Sequence, residues 1–282
     1  ICNGQSKGHY MQLYKKLMRP LLFTLEPETA WHLSDLGLSQ TWLWKIMGSG
    51  FQHHNELLKA TVAGIPIKNP VGLAAGHDKN CRFLSSLQEL GFGYVTGGTV
   101  TKNPRPGNPK PRVIRLKDQS ALINALGFPG DGLEKALSEI SKMASVPKKS
   151  VRIISVSGTD IADIAECHQQ LEPLCDAIEL NISSPNTKGL RIFQEPSNLR
   201  SLLGEVNQNK SKPLLVKTPP YKSGESDDEK VLNLGRICLE EKVESLTVSN
   251  TVPIAHDGLA VGQGGLSGSP LFENTIEMVK TY

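Results

Sequence analysis

The sequence has little that marks a nucleic-acid-binding or membrane-spanning protein. Its 282 residues carry a net charge of only +3, from 31 lysines and arginines against 28 acidic residues, with the two signs interspersed. Because proteins that bind mainly nucleic acid carry a strongly basic surface, we expect no such partner. No apolar run approaches the roughly 18 residues that a transmembrane helix needs.

The sequence has few cysteines, and their spacing indicates no pairs. The five cysteines form no CxxC pair and are odd in number, which predicts reduced thiols rather than a disulfide framework. Cys167 and Cys175 flank one helical pattern, so we expect them to be packing residues rather than metal ligands. The chain begins with Ile1 rather than methionine and shows no signal peptide. We therefore expect it to begin inside a longer product.

The common signatures of nucleotide and hydrolytic sites are also missing. Glycine-rich segments occur at 91–93 and 262–268, but neither has the GxGxxG spacing of a dinucleotide-binding turn. There is no P-loop, no HExxH and no metal-spaced set of cysteines and histidines. Ser183 and Ser184 have no histidine or carboxylate in their own loop, which argues against a hydrolase triad.

Residues 10–47 have the pattern of a small helical module. Leu13, Leu17 and Leu21 share one face of a first helix, and Pro27 lies in the first turn of a second one. Trp42 and Trp44 then lie close together beside a lysine. Such a segment either dips into a membrane surface or packs on the main domain, and the pattern alone leaves both open.

Beyond residue 56, mostly apolar strand patterns alternate with helical ones, which predicts a parallel α/β fold with strands buried on both faces. The predicted strands are Val71 to Ala75, Tyr94 to Val100, Arg152 to Ser157, Ala177 to Ile182, Pro213 to Thr218 and Ser245 to Asn250. Helical patterns fall at 133–143, 161–171, 199–206, 231–238 and 272–279, and residues 262–268 are predicted as a loop. A doubly wound sheet and a (β/α)₈ barrel both fit this alternation.

The position of the polar residues favours the barrel. Almost every predicted strand is followed by a polar or glycine-rich cluster, and clusters from many successive strands meet at one place only if the sheet curls into a barrel. We therefore predict a (β/α)₈ TIM barrel, with about six of its eight strands present, as a domain at 57–282. A helical extension at 1–56 precedes it. We expect the chain to be truncated at its C-terminus, so that two further βα units lie outside it.

An unusual set of amides and lysines follows the strands. It comprises Asn124, Asn181, Asn186, Asn250, Lys79 and Lys217, together with the small residues Ala74, Ala75 and Gly76. Any single asparagine is commonly a turn residue. Four on one face of a barrel suit a planar heterocycle with alternating carbonyl and N–H groups, and a lysine after a small-residue turn suits an anionic ring.

Several segments together resemble the dihydroorotate dehydrogenases, in the right order from about Arg19 to the end. They are Asn69-Pro-Val-Gly-Leu-Ala-Ala-Gly-His-Asp-Lys79, Gly98-Thr-Val-Thr101, Gly107-Asn-Pro-Lys-Pro-Arg112, Asn181-Ile-Ser-Ser-Pro-Asn-Thr-Lys-Gly-Leu-Arg191, Leu215-Val-Lys217, Ser249-Asn-Thr251 and Gly264-Gly-Leu-Ser-Gly268. The family divides by its catalytic base, which is cysteine in class 1 and serine in class 2. Ser184 stands at that position, and the segment from Arg19 to Ala30 is also similar to class 2.

The resemblance implies oxidation of dihydroorotate to orotate in pyrimidine biosynthesis. Ser184 would remove the C5 proton, a hydride would pass from C6 to a flavin mononucleotide (FMN), and a quinone would accept the electrons. The implied FMN contacts are Ala74, Ala75, Gly76, Lys79, Thr99, Asn124, Asn181, Lys217, Ser267 and Gly268. The implied orotate contacts are Lys79, Asn124, Phe128, Asn181, Asn186, Asn250 and Thr251.

The resemblance also implies peripheral attachment to a bacterial inner (cytoplasmic) membrane or a mitochondrial inner membrane through the N-terminal helices, which favours the membrane interpretation of Trp42 and Trp44. The chain departs from the family pattern at His77, where an apolar residue is usual, and at Ser155, where a flavin-contacting asparagine is usual. Two alternatives remain. One is a related FMN barrel acting on another dihydropyrimidine, and the other is a non-catalytic fragment.

Overall fold

The computed structural model describes residues 14–52, 55–143, 145–183, 189–221 and 228–282. A short π-helical turn, Tyr14–Met18, precedes the first α-helix. The α-helices are α1 (Arg19–Thr24), α2 (Pro27–Leu38), α3 (Thr41–Met47), α4 (Leu84–Leu87), α5 (Leu133–Ser141), α6 (Ile161–Leu171), α7 (Pro196–Asn209), α8 (Asp228–Glu240) and α9 (Phe272–Thr281). The strands are β1 (Ala60–Val62), β2 (Ile65–Ile67), β3 (Gly72–Leu73), β4 (Tyr94–Val100), β5 (Val113–Leu116), β6 (Ala121–Asn124), β7 (Val151–Val156), β8 (Ala177–Asn181), β9 (Leu214–Lys217), β10 (Ser245–Thr247), β11 (Val252–Ala255) and β12 (Gln263–Gly268).

A six-stranded parallel sheet forms the centre of the molecule, in the order β10-β9-β8-β7-β4-β3. The six predicted strands and the predicted parallel α/β class are therefore confirmed. All residues of β7 and β8 are buried, because helices cover one face and the curled sheet encloses the other. The fold is that of a TIM-barrel-like half-barrel, and the full count of eight strands stays a prediction.

The two faces of the sheet alternate along each strand. On β7, Ile154 and Val156 point outward into the main core, which includes Leu171 of α6 and Leu199 of α7. Ile153 belongs instead to a smaller inner cluster. Helix α6, on the outer face, begins with a capping side chain. The carboxylate of Asp160 accepts the backbone N–H groups of Ala162 and Asp163 in its first turn.

A hairpin of β1 and β2 packs on this inner cluster and was not predicted from the sequence. Its turn is formed by Ala63 and Gly64, which both have positive φ angles (48° and 77°). Ala63 and Ile67 pack against the amino-terminal parts of the parallel strands, including Val151 and Ala177. The hairpin thus covers the end of the sheet opposite to the predicted site.

Segments that follow β4 and β10 pair with each other in a second sheet, which is antiparallel and has the order β11-β12-β6-β5. The prediction of a loop at residues 262–268 is therefore wrong, since all but Gly262 belong to β12. Glycine makes this strand possible, because a Cβ on Gly264 would lie 2.8 Å from the carbonyl oxygen of Asn124.

The N-terminal helices expose much of their apolar surface. Leu17, Leu21 and Trp42 are each more than 60% exposed. Trp44 differs, because it is half-buried against the main core and its indole N–H donates to the carbonyl of Gly37 at 2.9 Å. Trp44 therefore packs on the main domain, whereas Trp42 is exposed. Leu13 lies outside the described residues, and within them no helix is both long and apolar enough to span a bilayer.

Four cysteines lie in the described part of the chain, and all are buried free thiols. Cys167 and Cys175 are 0% and 5% exposed and belong to the main core, which confirms that they are packing residues. Burial raises the pKa of both thiols to about 12, so neither is a reactive thiolate at neutral pH.

An ion pair attaches helix α2 to the antiparallel sheet. Pro27 occupies the first turn of α2, as predicted, and Glu28 follows it. Nε and Nη2 of Arg112 both donate to one carboxylate oxygen of Glu28, at 3.0 and 2.9 Å. Both side chains are only about a tenth exposed, so solvent screens this pair little.

We predict that Glu28→Gln destabilises the protein by about 2 kcal/mol, because it leaves a buried guanidinium without its counter-charge. Glu26→Gln is the matched control, since Glu26 is exposed two residues earlier on the chain. Denaturant unfolding measures the effect, and hydrogen exchange should show that α2 loses protection while β7 and β8 do not. Equal stability of the two variants would contradict the prediction.

Candidate active site

All but two of the sequence-predicted site residues line one cavity of about 1060 Å³ at the carboxyl ends of the parallel strands. Thr99, Asn181 and Lys217 contribute from the ends of β4, β8 and β9. The other predicted residues on its wall are Ala74, Ala75, Gly76, Lys79, Asn124, Phe128, Asn250, Thr251, Ser267 and Gly268. Ser184 and Asn186 lie outside the described residues. The part that each residue plays there stays a prediction.

The loop after β3 forms the small-residue wall of the cavity. The backbone N–H of Gly76 donates to the carbonyl of Gly98 at 2.9 Å, and the N–H of Gly98 donates to the carbonyl of Asp78 at 2.8 Å. The buried carboxylate of Asp78 accepts the N–H groups of Arg82 and Phe83. Burial raises the pKa of Asp78 to about 6 despite these hydrogen bonds. The loop is thus fixed to the end of β4.

Lys79 is held at the end of this loop by contacts from two parts of the chain. Its ammonium donates to the carbonyl of Gly76 at 2.6 Å and lies 4.0 Å from the ring centroid of Trp31 in α2. Burial lowers the pKa of Lys79 to about 8, against the attraction of Asp35 and Glu28. The lysine therefore remains mostly cationic at neutral pH, where it suits an anionic ligand.

Asn181 is the centre of a buried network of polar side chains. Its amide nitrogen donates to Thr99 Oγ1 at 3.0 Å, and Thr99 Oγ1 lies 3.0 Å from Ser155 Oγ. Ser157 Oγ donates to the backbone carbonyl of Asn181 at 2.7 Å. Ser155, where the family usually has asparagine, thus still contributes a hydroxyl to this network. Three neighbouring strands, β4, β7 and β8, are linked at their ends.

The loop after β10 brings a second carboxamide to the same wall. Asn250 Nδ2 donates to Ser183 Oγ at 2.8 Å, and Ser183 Oγ donates to Asn181 Oδ1 at 2.7 Å. The backbone N–H of Thr251 donates to Asn250 Oδ1 at 2.7 Å. Two asparagines that are far apart in the sequence are therefore connected through one hydroxyl.

The antiparallel sheet forms the opposite wall. Asn124 ends β6 and pairs with Gly265 of β12. A Cβ on Gly265 would lie 1.9 Å from Thr251 Oγ1, so glycine is what allows Thr251 its place at the cavity. Gly268 at the end of β12 has a φ of 107°, and its neighbour Ser267 donates its hydroxyl to the carbonyl of Leu122 at 3.3 Å.

Sequence reasoning missed part of the cavity wall. The residues not anticipated are Leu122, Leu126, Gly127, Pro129, Ser249, Ser269, Leu271, Phe272, Glu273 and Thr275. Ser249 and Ser269 adjoin predicted residues, so proximity in the sequence could have indicated them. Nothing local in the sequence indicates that Phe272 and Glu273, at the start of α9, reach the cavity, or that Trp31 reaches Lys79. Among the described residues, no group of three or more histidines, cysteines and carboxylates is placed to hold a metal ion.

The fold and the cavity together define a TIM-barrel-like α/β protein whose site presents amides, cations and small residues suited to planar, anionic rings. Comparisons with known proteins give the family. A sequence model described as dihydroorotate dehydrogenase matches residues 57–282. The chain belongs to the dihydroorotate dehydrogenase family.

Individual relatives agree with this assignment. The chain is 36% identical to a protein of Chloroflexus aurantiacus named dihydroorotate dehydrogenase (quinone), over 95% of this chain and 80% of that one. It is also 36% identical to a protein of the same name from Chelativorans, over 96% of this chain and 77% of the relative. A crystal structure of DHODH from Eimeria tenella in complex with ferulenol is similar to this chain, with a TM-score of 0.71 and 27% sequence identity. The similarity covers 90% of this chain and 77% of that one.

We predict that Gly265→Ala destabilises the protein by about 2 kcal/mol and displaces Thr251, because the new methyl group would overlap its side chain. Gly204→Ala is the control, since Gly204 lies in α7, a Cβ added to it would meet nothing within 4 Å, and alanine favours helix. Thermal unfolding and a crystal structure measure the two effects. A Gly265→Ala protein of normal stability with Thr251 in place would contradict the prediction.

Proposed function

We propose that this chain oxidises dihydroorotate to orotate in pyrimidine biosynthesis, with FMN as cofactor and a quinone as electron acceptor. The observation that carries the proposal is the cavity at the strand ends, where the predicted amides, lysines and small residues lie together. Its relatives named dihydroorotate dehydrogenase (quinone) support the same reaction. Nothing in the described part of the chain favours the two alternatives considered from the sequence.

The cavity wall fits FMN in size and chemistry. A volume of about 1060 Å³ exceeds what a pyrimidine alone would fill. Ala74, Ala75 and Gly76 present little more than backbone, so a flat ring can approach closely. Lys217 supplies a cation on the same wall, where it would offset negative charge on a reduced ring. Thr99, Asn124, Asn181, Ser267 and Gly268 complete the proposed contacts. FMN, when bound, supplies the acceptor for the hydride from C6 of the substrate.

The substrate is an anionic pyrimidine, and the same cavity offers what such a ring needs. The Lys79 ammonium would bind its carboxylate, and Asn124, Asn181, Asn186 and Asn250 would hydrogen-bond to its ring edge. Phe128 and Thr251 would bound the ring from the side of the antiparallel sheet. Such contacts would fix the plane of the pyrimidine in the cavity.

Ser184 is the proposed base that takes the proton from C5. It follows Ser183 directly, and Ser183 is 1% exposed and joined to both Asn181 and Asn250. The loop that carries Ser184 therefore starts from a fixed point beside the cavity. A serine can act in this way when water or another hydroxyl carries the proton onward.

The N-terminal helices expose an apolar surface. Their exposed apolar residues are Leu17, Met18, Leu21, Leu33, Leu36, Trp42 and Ile46. Such a surface suits a helical segment that lies in the plane of a membrane. We propose that the extension at 1–56 attaches the domain at 57–282 to a bacterial inner membrane or a mitochondrial inner membrane, where quinones dissolve. The contact of Trp31 with Lys79 places this extension against the cavity.

We predict that Ser184→Ala slows reduction of the bound flavin by dihydroorotate about 100-fold or more, while flavin content is unchanged, because only the proton acceptor is lost. Rapid mixing without oxygen measures the rate. Ser201→Ala is the control, since Ser201 is exposed on α7 and donates only to the carbonyl of Ser197 among the described residues. In the wild-type chain, a quinone but not NAD should then reoxidise the flavin.

An unchanged reduction rate in Ser184→Ala would remove Ser184 as the base. A wild-type flavin that dihydroorotate does not bleach would contradict the proposed reaction itself.

We also predict that orotate binds more weakly as the pH rises above about 8. Burial lowers the pKa of Lys79 to about 8, so the cation that would hold the carboxylate is present below that pH and is lost above it. Affinity should then fall up to about tenfold per pH unit. Calorimetric titration between pH 6.5 and 9 measures this, with Lys79→Arg as the control because arginine stays charged. The same decline in Lys79→Arg would show that another group is responsible.

A further inference from the structure

Ser183 joins the two carboxamides of the cavity, although its neighbour Ser184 is the proposed base. Its hydroxyl lies 2.7 Å from Asn181 Oδ1 and 2.8 Å from Asn250 Nδ2. The residue is 1% exposed, so bulk water does not compete for these hydrogen bonds.

Backbone N–H groups fix which atom of each amide is the oxygen. The N–H of Ser183 points at one side-chain atom of Asn181 at 3.2 Å, and the N–H of Thr251 points at one side-chain atom of Asn250 at 2.7 Å. A backbone N–H can only donate, so both of those atoms must be Oδ1. Ser183 Oγ must therefore donate to Asn181 and accept from Asn250. The directions of the hydrogen bonds from Asn250 through Ser183 to Asn181 are therefore set.

This direction determines what the carboxamides can offer a ligand. Asn181 Oδ1 accepts from both the N–H and the hydroxyl of Ser183, which uses both of its lone pairs. Its amide nitrogen has one hydrogen directed at Thr99, and the second has a fixed direction in the amide plane. Asn250 likewise uses one amide hydrogen on Ser183. Both residues line the cavity with their nitrogen-bound hydrogens fixed in direction.

A purely local role does not explain this geometry. A backbone N–H that donates to a side chain two residues earlier, as that of Ser183 does to Asn181, is a common turn feature. Asn250, however, is 67 residues away and lies on the loop after β10. The hydroxyl thus fixes the carboxamide of one loop relative to that of another.

We propose that Ser183 is a positioning residue that holds the carboxamides of Asn181 and Asn250 as hydrogen-bond donors toward the oxygen atoms of the pyrimidine. The proposal rests on the function proposed above and adds a determinant of specificity. A site of fixed donors selects a ring edge of carbonyl and carboxylate oxygens. It disfavours an analogue that presents an amino group in the same place, because two donors would then face each other.

The test is a calorimetric titration of orotate into wild-type, Ser183→Ala, Asn250→Ala and double-variant proteins. We expect Ser183→Ala to weaken binding about tenfold, since the hydroxyl that makes both positioning hydrogen bonds is lost. In the Asn250→Ala background the same change should have a smaller effect, because one of the two hydrogen bonds of Ser183 is already absent there. A change that only loosens the fold would weaken binding equally in both backgrounds.

Ser157→Ala is the matched control. Ser157 is 2% exposed and also donates to Asn181, but to its backbone carbonyl, so its loss should cost stability without turning a carboxamide. Ser183→Cys keeps the size of the side chain with a poor donor, and it replaces Ser183→Ala if that variant does not fold.

Wild-type affinity in Ser183→Ala or Ser183→Cys would overturn the role of Ser183 and leave the proposed function intact. Equal losses with and without Asn250 would also overturn it. The wild-type protein distinguishes these results from a failure of the proposed function. If the function holds, dihydroorotate bleaches its flavin; if it fails, the flavin is not bleached and orotate does not bind.

Discussion

The site depends on one constraint, which is that the central parallel strands are buried on both faces. Every residue of β7 and β8 is buried, so the hydroxyls and amides at these strand ends must find partners within the protein. They find each other, in the network that runs from Ser155 through Thr99, Asn181 and Ser183 to Asn250. The network that satisfies buried polar groups thereby also orients the groups that face the cavity.

The N-terminal helices belong to the site as well as to the surface. Helix α2 is attached to the antiparallel sheet by the pair of Glu28 and Arg112, and it presents Trp31 to the ammonium of Lys79. The exposed apolar side of these helices and the cavity are therefore connected through a single helix. If the quinone binds at these helices as proposed, this connection would bring the quinone close to the pyrimidine.

Much of the fold and of the candidate site could be predicted from the sequence, because the patterns that indicate them are local. The six parallel strands lie in mostly apolar segments, and almost all of these are followed by a polar or glycine-rich cluster. The segment from Asn181 to Arg191 resembles the family directly. Pairing that depends on distant segments could not be predicted. Strand β12 consists largely of small residues, which locally are typical of a loop. It is a strand because β6 and β11 pair with it on either side. The contact between Trp31 and Lys79 and the link from Ser183 to Asn250 likewise join segments with no shared local pattern.

The central claim is that the strand ends form a set of oriented donors around one pyrimidine plane. A crystal structure of the chain with FMN and orotate tests it most directly. The account predicts orotate in the cavity, with the Lys79 ammonium at its carboxylate and the amide nitrogens of Asn181 and Asn250 about 2.7 to 3.2 Å from its oxygen atoms. Orotate bound elsewhere, or amide oxygens turned toward it, would contradict the account.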